Sequence, residues 1–235
     1  MVAVFVSFLA ALLVILLCSV AAIAIALLLP AFRHIHAADL ASDPRVFLPA
    51  QFAAYAILLC ILWRFFAYHL GIGFAAALNW RWPLRWPMFL VAGALLAVFV
   101  ELSAHFLPTP PELPIDKMMR TPLDAWMMCT FGVLVAPFAE EVLFRGLLFP
   151  ALARHAGALS SLVVTSALFG LIHSQQLAGA WIQVARIVVV GMVLTGVRWR
   201  YHSLASSTLV HIGYNGALFL ALFAETQGFT HLPVH

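Results

Sequence analysis

Apolar residues run along this chain in long blocks, and polar residues gather at the block ends. Met1 to Phe32 contains no Asp, Glu, Lys or Arg. A helix needs roughly 20 such residues to cross the hydrocarbon core of a bilayer. About seven blocks are long and apolar enough to be spans. They run approximately from Val2 to Leu29, Val46 to Trp63, Pro87 to Leu107, Ala125 to Pro150, Leu159 to His173, Trp181 to Val197, and Ser203 to Phe223. Two of them are short and suit an off-axis or partly inserted helix. Because backbone polar groups in lipid must be satisfied internally, the predicted fold is all-α, a polytopic transmembrane helix bundle. No repeat, low-complexity stretch or linker breaks the pattern, so residues 1–235 read as one integral membrane domain.

Two connections stand out. Gly71 to Trp86 alternates Trp80, Trp82 and Trp86 with Arg81 and Arg85, a pattern suited to an interfacial helix at headgroup level. Pro108 to Asp124 is rich in proline and carries half of the acids outside the spans. It is expected to be extended and outside the bilayer.

Composition sharpens the membrane reading. Hydrophobic residues make up 65% of the chain and charged residues 9%, against about 45–50% and about 25% in soluble domains. The net charge of +3 is carried almost wholly by arginine, with Lys117 the only lysine. These cations sit mostly at block ends, so they report topology rather than nucleic-acid binding. Arg64, Arg81, Arg85, Arg154, Arg198 and Arg200 follow the even-numbered spans. Arg33, Arg45, Lys117 and Arg120 lie on the other side. The larger set places the N terminus in the cytoplasm. The first block lacks a basic n-region and exceeds the ~7–15 residues of a signal-peptide core, so it reads as a retained span. Cys18, Cys60 and Cys129 fall inside apolar blocks and form neither a disulfide framework nor a paired metal motif. They read as buried small hydrophobes.

Ionisable groups inside a bilayer cost about 2.5–3.5 kcal/mol each and need a partner or a task. The fourth block carries three: Glu140, Glu141 and Arg145. Glu141 and Arg145 are spaced i, i+4 with the acid first, the better order for a helical ion pair. Glu140 points about 100° away, onto a neighbouring face. A buried carboxyl with no strong cation is a general-base candidate. Pro137, one turn earlier, removes a helical N–H and frees a carbonyl about four residues back, which should kink and open the helix near the carboxylates. The fifth block ends on Phe169 and His173. The seventh carries His211 and Asn215 on one helix face. Depths of about 12–20 Å, at ~1.5 Å per residue, are compatible with one cluster near the membrane middle.

Other polar residues take quieter roles. Glu101 and His105 are spaced to satisfy one another. Arg64 and Arg186 read as snorkelling or paired near a boundary. His231 and His235 read as solvated, and His34 and His36 as at most an adventitious metal pair.

Glu-Glu-x-x-x-Arg, then Phe-x-x-x-His, then His-x-x-x-Asn on successive membrane helices resembles the CAAX protease and bacteriocin-processing family, the type II CAAX prenyl endopeptidase-like intramembrane peptidases. Ala136-Pro137 before the glutamates and Phe144-Arg145-Gly146 after them fit the same pattern. The resemblance covers roughly Ala125 to Phe223, the expected catalytic core. It implies that Glu140, assisted by His173, activates the attacking water. It implies too that His211 and Asn215 hold the water or the oxyanion. Arg145, Pro137 and Phe169 would support the site, as would Glu141, with direct participation of Glu141 left open. The implied protein is a multi-pass hydrolase of a prokaryotic cytoplasmic membrane, acting on membrane-associated peptides or proteins, prenylated or transmembrane. The other reading is a non-catalytic membrane scaffold or regulator that keeps the polar cluster for helix packing. Neither reading fixes an oligomeric state.

No metal or other cofactor is expected. Glu140, His173 and His211 could make a two-His, one-Glu zinc site. That arrangement spends the best base as a ligand, and Glu141, paired with Arg145, is the poorer base. The chain also lacks His-Glu-x-x-His, any Asp within a span, and a Gly-x-Ser-x-Gly turn.

Overall fold

A computed structural model of the chain describes residues 2–104, 106, 118–174, 176–177 and 180–232. Every regular element among them is helical. In chain order these are α1 (Val2–Leu28), α2 (Ala37–Leu40), α3 (Pro44–His69), α4 (Phe74–Ala77), α5 (Trp86–Ala104), α6 (Pro122–Thr130), α7 (Ala136–Glu141), α8 (Phe149–Ala156), α9 (Ala158–Ile172), α10 (Trp181–Tyr201) and α11 (Leu204–Glu225). Two π-helical stretches, Phe131–Val135 and Val142–Leu148, join α6, α7 and α8 into one rod. Six helices are long and apolar enough to cross a membrane, and α9 is a shorter apolar helix. The predicted count of about seven spans agrees with this. The protein is an integral, multi-pass membrane protein.

The rod Pro122–Ala156 is the centre of the bundle: 39% of its most apolar window is covered by protein, against 11% for α1. Its start is fixed by a capping box. The Asp124 amide donates to the Thr121 hydroxyl at 3.1 Å, and the Thr121 amide donates back to Asp124 at 3.1 Å. Asp124 therefore opens the helix instead of closing an extended loop. The rest of the expected Pro108–Asp124 loop lies mainly outside the described residues.

Helices α5 and α11 approach through glycine. A Cβ built on Gly93 would stand 2.0 Å from the Val210 carbonyl oxygen, and one on Gly213 would stand 2.2 Å from that of Leu90. Small residues allow such backbone contact between membrane helices. Because Gly213 lies between His211 and Asn215, this contact also sets where those two side chains stand. Gly213→Ala is expected to destabilise the protein by about 1–3 kcal/mol, the usual cost of overpacking, read as a lower thermal midpoint in detergent. An unchanged midpoint would mean the helices do not approach this closely.

Three expectations need correction. The interfacial helix is only the single turn α4. Beyond it Asn79 adopts a positive φ of 51°, and the backbone clamps the start of α11 instead. The Leu204 amide donates to the Asn79 carbonyl at 3.1 Å, and the Ser203 hydroxyl donates to Arg81 O. Trp82, Leu84 and Trp86 point outward from this segment. Arg198 is no loop cation: it is buried, with Nε donating to Arg145 O at 3.2 Å and Nη2 to Leu78 O at 3.4 Å. Of the cysteines only Cys129 is buried, whereas Cys60 is exposed and Cys18 half-buried. Apolar faces of a membrane helix need not pack on protein, so apolarity alone could not separate them.

Candidate active site

The site is built where the central rod leaves α-helical register. In a π turn each N–H reaches five residues back, and the Ala136 N–H bonds Phe131 O. The next N–H would reach Gly132, but residue 137 is proline and has none to give. The Gly132 carbonyl takes its hydrogen bond from the Asn215 side chain instead, with Nδ2 at 2.6 Å. The freed carbonyl is thus five residues before the proline rather than four, because the local register is π. Asn215→Ala is expected to strand this carbonyl, at about 1–3 kcal/mol, and to lower the thermal midpoint. A midpoint equal to wild type would rule out this tie.

The second π stretch carries Arg145, and its side chain closes the deepest part of the site. Arg145 Nη1 donates to Glu141 Oε1 at 2.8 Å, Nε to Thr195 Oγ1 at 3.2 Å and Nη2 to Gly191 O at 3.1 Å. The guanidinium lies 4.3 Å from the Phe169 ring centroid. Both partners of the ion pair are fully buried. A buried charge pair holds only when further hydrogen bonds satisfy it, and α10 supplies them. Glu141 Oε1 also lies 3.2 Å from His211 Nδ1.

Glu140, one residue earlier, faces a different set of groups. His173 Nε2 stands 3.9 Å from its Oε1, and His211 Nε2 stands 3.8 Å from its Oε2. The Glu140 and His173 side chains are 14% and 17% exposed, against 5% for His211 and 0% for Glu141. Glu140 and His173 therefore form the open side of the cluster. His173 caps the end of α9, and its Nδ1 lies 2.7 Å from Phe169 O. A carbonyl only accepts, so Nδ1 carries the proton and Nε2 of the neutral ring presents a lone pair. Glu140 Oε1 and His173 Nε2 are then two acceptors at a separation that a bridging water can span.

Phe169 organises the aromatic side. Its ring contacts His173 at 4.8 Å, Phe144 at 5.2 Å and His211 at 5.8 Å between centroids. The structure thus brings Glu140, Glu141, Arg145, Phe169, His173 and His211 together from α7, the second π stretch, α9 and α11. Asn215 sits one turn further along α11, on Gly132, and Pro137 is buried beside the cluster. The sequence reading missed the Thr195 and Gly191 contacts to Arg145. A backbone acceptor and a lone threonine in an apolar run give no periodic signal.

Polar residues elsewhere stay apart from the cluster. Glu101 is exposed, and its expected partner His105 lies outside the described residues. Arg64 lies 4.9 Å over the Tyr68 ring. Arg186 Nη1 donates to Gln183 at 2.8 Å. His34 and His36 are exposed. His231 contacts Thr230 at 2.9 Å, and His235 lies outside the described residues. Two imidazoles and a carboxylate are a donor set that suits zinc. Among the described residues, however, no group of three or more His, Cys, Asp or Glu is arranged to hold a metal ion.

Comparison with known proteins bears on the same stretch of chain. The family model described as type II CAAX prenyl endopeptidase Rce1-like matches residues 122–217. This segment is similar to that family. It spans every cluster residue from Pro137 to Asn215, and it leaves α1 to α5 outside. The Rce1-like match points at family level to a membrane protease of the CAAX type. The chain matches no curated protein and no solved structure.

Proposed function

We propose that the protein is an intramembrane endopeptidase in which Glu140 and His173 activate water. The observation that carries this reading is the placement of both imidazole Nε2 atoms, at 3.9 and 3.8 Å, on the two oxygens of one partly open carboxylate. In the proposed reaction a water donates to Glu140 Oε1 and His173 Nε2. Glu140 takes its proton as the oxygen attacks the scissile carbonyl, and later passes that proton to the leaving amine. His211 and Asn215 stabilise the oxyanion. His211 Nδ1 is held on Glu141, which turns Nε2 toward the Glu140 side of the cluster. Asn215 keeps one N–H on Gly132 and has a second to offer.

The reading needs no metal. Making Glu140 a zinc ligand would remove the base, and Glu141 is committed to Arg145 and His211. The substrate class that fits is a membrane-associated peptide, prenylated near its C terminus or itself transmembrane. The test is purified protein in liposomes with a fluorogenic peptide ending in a farnesylated cysteine and an aliphatic tripeptide, beside its unprenylated counterpart. Cleavage of the prenylated peptide, retained through exhaustive chelation, is the expected result. Stoichiometric zinc whose removal stops turnover and whose return restores it would make His173 and His211 ligands. Folded protein that cleaves neither peptide would favour the scaffold reading.

A further inference from the structure

The second π stretch leaves an orphaned carbonyl as the first one does, and a different helix supplies the donor. Phe149 ends the Val142–Leu148 stretch, and its N–H bonds Phe144 O, five residues back. The next N–H in that register would reach Arg145 O. Residue 150 is proline and has none to give. Asn215 answers the carbonyl freed by Pro137. Arg198 answers the one freed by Pro150, with Nε donating to Arg145 O at 3.2 Å. A buried carbonyl without a donor is costly, so this bond favours the register in which the π stretch closes. That register decides where Arg145 stands, and its guanidinium meets Glu141 at 2.8 Å.

Arg198 is buried near the end of α10, and its second hydrogen bond, from Nη2 to Leu78 O at 3.4 Å, also goes to a backbone carbonyl. Leu78 packs on the same π stretch. A Cβ built on Gly146 would stand 2.8 Å from Leu78 Cδ2 and 3.4 Å from Leu204 Cδ2. Leu204 opens α11, the helix of His211. We propose that Arg198 is a positioning residue that replaces the missing N–H of Pro150 and so keeps the Arg145 guanidinium on Glu141, the carboxylate that holds His211. It acts through Arg145 and does not touch substrate. The inference rests on the proposed peptidase reaction for its effect on rate, though not for the tie itself.

Two substitutions isolate this role from packing. Arg198→Met keeps a long side chain and loses the guanidinium, while Pro150→Ala returns a backbone N–H that can reach Arg145 O. Amide hydrogen exchange over Val142–Phe149, read on the reconstituted protein, reports the tie. Exchange is expected to quicken by about five- to 150-fold in Arg198→Met, the range for a stranded buried carbonyl. Adding Pro150→Ala to that variant is expected to return exchange toward wild type. An arginine that only fills space gains nothing from a new N–H at residue 150. Wild-type exchange in Arg198→Met, or a double variant no slower than the single one, therefore overturns the proposal. On the farnesylated peptide, Arg198→Met is expected to lower kcat by about ten- to a hundredfold, the loss that misplaced catalytic groups give, with KM unchanged, and the double variant should recover it. Faster exchange beside a wild-type kcat would overturn the positioning role. If Arg198→Met does not accumulate as folded protein, recovery of folded yield by Pro150→Ala supports the tie, and no recovery overturns it. If wild-type protein cleaves no peptide, the peptidase reading fails, and the exchange comparison still decides the role of Arg198.

Discussion

Replacing Glu140 with glutamine is expected to lower turnover by about a hundred- to ten-thousandfold, the range for loss of a positioned general base, and to leave folded yield unchanged. Glutamine keeps the size and hydrogen-bonding reach of glutamate but cannot take a proton. The structure explains why folding should tolerate the change. Glu140 sits on the open side of the cluster, and its imidazole neighbours stand at 3.8 and 3.9 Å, beyond direct hydrogen bonds. No fully buried ion pair is broken by the exchange. Turnover on the farnesylated peptide, with thermal midpoint and yield measured on the same preparation, checks both halves. Activity within tenfold of wild type would remove Glu140 from the chemistry.

Arg145→Ala is expected to do the opposite and remove the folded protein itself. The substitution leaves Glu141 as a fully buried charge without its cation, which typically costs about 3–5 kcal/mol. It also strips hydrogen bonds from Thr195 and Gly191 and the cationic face from Phe169. Stabilities of whole domains are about 5–15 kcal/mol, so yield and thermal midpoint should fall sharply. The double variant Glu141→Gln with Arg145→Met should recover part of the loss, because the stranded charge is gone and the space is refilled. An Arg145→Ala protein as stable as wild type would show that the pair does not hold the bundle. An equal loss of yield in Glu140→Gln would favour a packing role for the whole cluster.

The features legible in the sequence were those governed by spacing. Apolar blocks longer than a bilayer gave the spans, and the i, i+4 offset gave the Glu141–Arg145 pair that forms at 2.8 Å. The convergence of Glu140, His173 and His211 was legible because three polar groups on three membrane helices each need a partner. What escaped depends on register and on distant backbone. Nothing in Phe131–Val135 announces a π turn, so the carbonyl freed by Pro137 was placed one residue late and its bond to Asn215 was not foreseen. Arg198 stands beside Arg200 at a block end and looks like a topology signal, yet the fold turns it inward onto Arg145 O. The Trp–Arg segment has interfacial composition, but Asn79 and the demands of the α10–α11 turn stop it from continuing as a helix.

The most direct test of a Glu140-dependent peptidase requires no assumed substrate. Membranes from cells making the wild-type protein and from cells making equal amounts of Glu140→Gln can be compared by mass spectrometry of protein termini. The account predicts a set of new termini, from membrane-associated proteins, present with the wild type and absent with the variant. Identical sets of termini, at matched levels of folded protein, would contradict it.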